Sequence, residues 1–146
     1  MEREKERRIE WDCAQVVTRF YNSLDAGRYD ELIDLFAEDG TWKRQGEVLE
    51  GRDAIMAAMQ DREEGMVIRH CVTNLDIRVL DEDNAESAEY VTIYRHIGEE
   101  KLDGPAPLEG PGVIFLYQEK LVRTDNGWKI AGKAGRPVML RKRPAA

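Results

Sequence analysis

The chain has two histidines, His70 and His96, and each stands in a segment whose neighbours alternate in polarity. An imidazole has an ordinary pKa near neutrality, so a histidine facing a pocket can take a proton from a bound molecule at physiological pH. His70 lies in Arg69-His70-Cys71-Val72-Thr73-Asn74, the first run that reads clearly as strand. Asp25 is a second candidate, because a carboxylate in the last turn of a predicted helix meets the negative end of the macrodipole at a cost of roughly a few tenths of a kcal/mol. A compensating partner is therefore expected. Asp25 follows Tyr21 by four residues, so both project from the edge of one buried stripe, where a histidine could reach them. Plainer readings stay open at both positions: Asp25 as the solvated start of an Asp25-Ala26-Gly27 turn, and His70 as a core or interface histidine satisfied by backbone.

The elements that must position these residues come in two blocks. From Ile9 the apolar residues Cys13, Val16, Val17, Phe20, Tyr21 and Leu24 keep the i, i+3, i+4 spacing of an amphipathic helix that ends at Ala26-Gly27. A shorter helix is expected over 29–37, then a turn at Glu38-Asp39-Gly40, a brief strand at Thr41-Trp42-Lys43-Arg44, a loop over 45–51 and a third helix over 52–62. In that helix Met56 and Met59 read as core rather than as a binding strip. After Glu63-Glu64-Gly65 the period changes to two, which predicts four long strands over 67–80, 85–97, 111–123 and 128–140. The longer loop over 98–110 reads as a lid or a plain excursion.

On the first long strand Ile68, His70 and Val72 share one parity and Leu75, Ile77 and Val79 the other, so a bulge is expected near Thr73-Asn74. On the second, Ala88, Tyr90, Thr92, Tyr94 and His96 share a face; hydroxyls and a ring nitrogen there suit a polar-studded pocket better than a dry core. Val113, Phe115 and Tyr117 alternate on the third strand, and Trp128 with Ile130 on the last. Glu86, Glu89, Arg95 and Lys120, interspersed with Val91, Ile93 and Leu116, suggest a partly apolar outer face and hence a homodimer or homotrimer. The fold class expected is α+β, with three N-terminal helices on one face of a cone-shaped, curved antiparallel sheet.

The length suits one domain over 1–146, with a charged tail at 1–8 and a basic tail at 141–146. Lys and Arg total 22 against 29 Asp and Glu, a net charge of −7 that disfavours nucleic-acid or anionic-membrane binding. Cys13 and Cys71 have no partner at metal-ligand spacing, so both read as reduced core residues, with no metal site and a cytoplasmic location.

Five segments together resemble a known family: Phe20 through Asp30, Leu35 through Trp42, Glu50-Gly51-Arg52-Asp53-Ala54-Ile55, Arg69-His70, and Asn126-Gly127-Trp128-Lys129-Ile130. In that order they resemble a SnoaL-like member of the nuclear transport factor 2-like superfamily, in the branch that includes scytalone dehydratase and the lindane dehydrochlorinase. The resemblance implies a cystatin-like α+β barrel, in which Asp25 and His70 take the positions of an Asp–His pair used by the lyases and His96 that of a second pocket histidine. Tyr21, Trp42, Tyr94, His96, Phe115, Tyr117 and Ile130 would line the pocket. Leu24 and Trp42 stand where scytalone dehydratase has two tyrosines, and Phe115 and Tyr117 where it has Ser and Asn, which disfavours that particular substrate. Ketosteroid isomerase chemistry is disfavoured by Trp42-Lys43-Arg44, which offers no Asp base.

The expected activity is that of a cofactor-independent lyase, a dehydratase or eliminase, or a related cyclase or isomerase. It acts on a small hydrophobic cyclic substrate, with His70 as general base and Asp25 fixing its tautomer. The rival expectation is a non-catalytic small-molecule-binding or assembly module of the same fold.

Overall fold

Glu4 and Glu6 favour the positive end of a helix dipole, and Arg8 donates to Glu4 one turn back at 2.7 Å. In the computed structural model, which describes residues 1–98 and 101–142, helix α1 accordingly spans Arg3–Ala26. Most of the expected N-terminal tail is thus helix, and Lys5 pairs with Glu82. The expected C-terminal tail lies mostly outside the described residues, beginning at 143. Gly27, at φ 71°, ends α1 by turning the chain into the left-handed region.

Helix α2 covers Tyr29–Asp34 and stops short of the expected end. The reason is tertiary: Ile130 N–H donates to Leu35 O at 2.8 Å, drawing Phe36 and Ala37 into strand β1 (Phe36–Arg44). Strand β2 (Glu47–Glu50) replaces the expected loop, because Gln45 and Gly46 both adopt positive φ and close a hairpin. Helix α3 (Gly51–Gln60) follows, and then β3 (Met66–Val79), β4 (Asn84–Ile97), β5 (Val113–Thr124) and β6 (Gly127–Leu140), close to the expected limits.

The six strands form one sheet in the order β2-β1-β6-β5-β4-β3. Among the described residues every pairing is antiparallel except β1 with β6, which is parallel, so the expected antiparallel sheet holds save at that one pairing. The sheet has two free ends, β2 and β3, and does not close into a barrel. The expected bulge is present: Thr73 pairs with Tyr90 and Asp76 with Ala88, leaving Asn74 and Leu75 opposite Glu89 alone, with Asn74 at φ 55°. A second bulge, on β6, leaves Ala131 without a partner between Ile130 and Gly132.

The apolar stripe of α1 packs with Phe36, Trp42, Ile55, Leu121, Trp128 and Ile130 in one core. Cys13 is buried there as expected, whereas Cys71 is exposed. Strand alternation decides this, since His70 faces inward and its neighbour must face out. Among the described residues no helix is long and apolar enough to cross a membrane.

Candidate active site

Strand β3 is a sheet edge, so every second N–H along it points away from β4 and needs another acceptor. At His70 that acceptor is Asp25. Its Oδ2 accepts the backbone N–H of His70 at 2.8 Å, and its Oδ1 lies 2.5 Å from His70 Nδ1. One carboxylate therefore grips the residue at two points, and the unfavourable charge at the end of α1 finds its compensation. A carboxylate only accepts, so the neutral ring carries its proton on Nδ1 and presents a bare Nε2. The His70 side chain is 6% exposed and that of Asp25 13%.

Below the dyad lies a cluster in which Tyr21 and Tyr117 belong to the expected set of site residues, whereas Ser87, Glu89, Glu119 and Lys133 do not. Tyr21, whose ring centroid is 5.7 Å from that of His70, donates its hydroxyl to Glu89 Oε1 at 2.8 Å and accepts from Lys133 Nζ at 2.7 Å. Lys133 also meets Glu119 Oε1 at 2.5 Å, and Ser87 donates to Glu119 Oε2 at 2.6 Å. The ammonium sits over the rings of Phe20, Tyr21 and Tyr117, 4.3 to 4.5 Å from their centroids.

One cation cannot neutralise two buried acids, and the two carboxyls divide accordingly. Burial, and then the neighbouring Glu119 carboxylate, push Glu89 up to about 9 despite the opposing pull of Lys133. Glu119 is lowered: burial pushes it up, but Lys133 and the hydrogen bonds around it outweigh that push. At neutral pH Glu119 is the anion and Glu89 the neutral acid. Glu89 Oε2 has no hydrogen-bond partner among the described residues. Burial pushes the Tyr117 phenol up to about 12, and the Tyr21 phenol well above its ordinary value, so both stay neutral donors.

Strand parity explains why the cluster escaped sequence reading. The helix-covered face of β4 carries Ala85, Ser87, Glu89, Val91 and Ile93, all buried, and not the even-numbered set. Glu89, Val91 and Ile93, read as outer-face residues, are therefore inside. Tyr94 and His96 lie on the opposite face, paired across the ladder with Arg69 and Val67, and do not meet His70. Their polar atoms find partners most easily outside the core, which is the demand that had suggested a pocket. Lys133 was hidden by the bulge at Ala131, which brings both Ile130 and Lys133 onto one face three residues apart. A detectable signal was Glu119, which keeps the parity of Val113, Phe115, Tyr117 and Leu121.

The remaining expected lining residues divide. Phe115 and Tyr117 are half-buried on the helix-covered face, stacked at 5.3 Å, with the Tyr117 ring over Gly135, where any Cβ would overlap it. Their strand is placed by the row His70, Ile93, Val113 across β3, β4 and β5. Tyr21 is buried beside His70. Trp42 and Ile130, by contrast, are core: Trp42 is 4% exposed and packs edge-on to Phe20 at 5.3 Å, and Ile130 is fully buried. Among the described residues no three His, Cys, Asp or Glu side chains converge to hold a metal ion.

Three helices on one face of a curved six-stranded sheet, with a carboxylate–imidazole pair beneath the first helix, define an α+β protein with a polar interior. A family model described as a SnoaL-like domain matches residues 6–133, and the chain belongs to that family. None of the curated proteins matches it. Among solved structures it is similar to a scytalone dehydratase-like protein of Novosphingobium aromaticivorans, at 18% identity and a TM-score of 0.82 over 99% of this chain and 94% of that one. A hexachlorocyclohexane dehydrochlorinase of Novosphingobium barchaimii is similar at 14% identity and a TM-score of 0.79, over 99% and 97% of the two chains. A nuclear transport factor 2-like protein with a cystatin-like fold, also from Novosphingobium aromaticivorans, has 18% identity and a TM-score of 0.76 over 93% and 86%. At these identities the likeness establishes the fold.

Proposed function

We propose that this protein is a cofactor-independent lyase, a dehydratase or eliminase or a closely related cyclase or isomerase, acting on a small hydrophobic cyclic substrate. The observation that carries the reading is the two-point grip of Asp25 on His70. It fixes both the position and the tautomer of the ring, and leaves Nε2 as a base. In an elimination, Nε2 takes a proton from carbon, the C–H electron pair becomes the new double bond, and the leaving group departs with its own pair from the adjacent carbon. Asp25 stabilises the imidazolium formed at that moment without itself taking the proton. Phe115 and Tyr117 supply a flat apolar wall, and the Tyr117 hydroxyl, neutral at working pH, is a donor for a departing or developing oxyanion. Two of the structural neighbours are named for eliminations, of water and of hydrogen chloride, which supports the reaction class.

The test is a panel of cyclic β-hydroxy ketones and halogenated cyclohexanes, followed by loss of water or halide. Turnover by the wild type that falls with His70→Ala and with Asp25→Asn, at unchanged circular dichroism, is the expected result. An active, fully folded His70→Ala variant would sink the dyad mechanism. Tight binding without turnover would assign the same face to a binding module instead.

A further inference from the structure

A cleft of about 580 Å³ lies away from the dyad and does not contain it. It lies between the loop that follows β4 and the ends of β3 and β4, and its lining includes Arg69, Tyr94, His96, Lys101, Leu102 and Leu108. Strand alternation sets it back-to-back with the dyad, since Arg69 and Tyr94 are direct ladder partners on the face opposite to His70 and Ile93.

The cleft has fixed ends. At one, a Cβ on Gly65 would meet Gly98 O at 2.9 Å, so the turn before β3 and the start of the loop touch backbone to backbone. At the other, Arg141 donates its guanidinium to Glu109 O at 2.8 Å and its N–H to Gly112 O at 2.9 Å, while Gly112 N–H donates to Ile93 O at 3.0 Å. Between these anchors Pro105 and Pro107 stiffen the loop. Its apolar side chains are not spent on the core: Leu108 is 79% exposed and Leu102 38%. A tethered wall with uncommitted apolar groups is what a preformed small-molecule site needs, and the volume falls within the range of roughly 300–1,000 Å³ such sites occupy.

The charge of the described lining is opposite to that of the molecule. In a chain of net charge −7, the described lining on this face holds Arg69 and Lys101, with His96 as a further polar group, against one acid, Glu109. Arg69 donates to Ile68 O at 2.7 Å through Nη1, which steadies a fork able to meet an oxyanion. The Tyr94 ring opposite it offers a face for a flat body. We infer that this outer cleft is a second ligand site, separate from the dyad, for a small organic anion with a planar apolar body and a carboxylate, sulfonate or phosphate group.

Titration of the wild-type chain with 8-anilino-1-naphthalenesulfonate, followed by dye fluorescence, tests the inference directly. One saturable site is expected. Arg69→Gln with Lys101→Gln, both at exposed positions, raises Kd at least about tenfold through lost charge-assisted hydrogen bonds. Leu108→Asp, an independent arm at an exposed loop position, also weakens binding, and the uncharged N-phenyl-1-naphthylamine binds more weakly than the sulfonate. His70→Ala and Phe115→Ala leave Kd unchanged within about twofold, because they lie on the other face. The inference is overturned if dye binding is not saturable, if both cleft variants bind like the wild type, or if Phe115→Ala abolishes binding.

Discussion

The Asp25–His70 pair and the Glu119–Lys133 pair have the same nitrogen–oxygen separation, 2.5 Å, and both lie under α1. Everything else about them differs. Lys133 and Glu119 are each 1% exposed, and the ammonium is used on every side, by Glu119, Tyr21 and three aromatic rings. Among the described residues His70 uses one ring nitrogen on the protein, and Asp25 retains about twice the exposure of its partner. A short contact therefore does not identify a group that moves protons. The unspent nitrogen is what the proposed base requires, and a saturated buried pair holds its proton as part of the fold.

Four measurements would break or sharpen this contrast. The largest effect is expected at His70→Ala, which lowers turnover by roughly 10²- to 10⁴-fold while the urea midpoint stays near that of the wild type. If stability collapsed along with activity, the dyad would belong with the cluster. Next comes Lys133→Met, which strands the Glu119 anion in the core and costs about 3–5 kcal/mol in urea denaturation. Adding Glu119→Gln to it restores much of that loss, since no buried charge is then left alone.

The third measurement is pH. Glu89 has a folded value of about 9 against an ordinary 4.5, so between these limits the folded chain holds a proton the unfolded chain has released. Its stabilising contribution is full below about pH 4.5 and is lost as pH rises towards 9. Glu119, held low, contributes in the opposite sense, with stability present above its ordinary value and lost as pH falls below it. Glu89→Gln therefore gains on the wild type as pH is raised from 5 to 8.5, read as urea midpoints; parallel curves would contradict the division of charge between the two acids. Smallest is Ser87→Ala, which removes one hydrogen bond to Glu119 at a cost of about 1.5 kcal/mol and leaves turnover alone.

The apolar stripe from Ile9 to Leu24, the four long strands and the bulge at Thr73-Asn74 were all legible in the chain, because each is written in the spacing of neighbouring residues. So was the need of Asp25 for a partner, because a charge at a helix end is a local misfit. The early end of α2, the hairpin strand β2 and the inward face of β4 were not, because both faces of β4 mix polar with apolar residues and periodicity alone cannot choose between them. Register chose. One unpaired residue at Ala131 turned Lys133 into the core, where it met Glu119 from the next strand and Tyr21 from α1. Local sequence thus determined which elements form and where a charge needed a partner. Only the tertiary structure, through strand pairing and its slips, decided which charges were buried together and which ring nitrogen was left unspent.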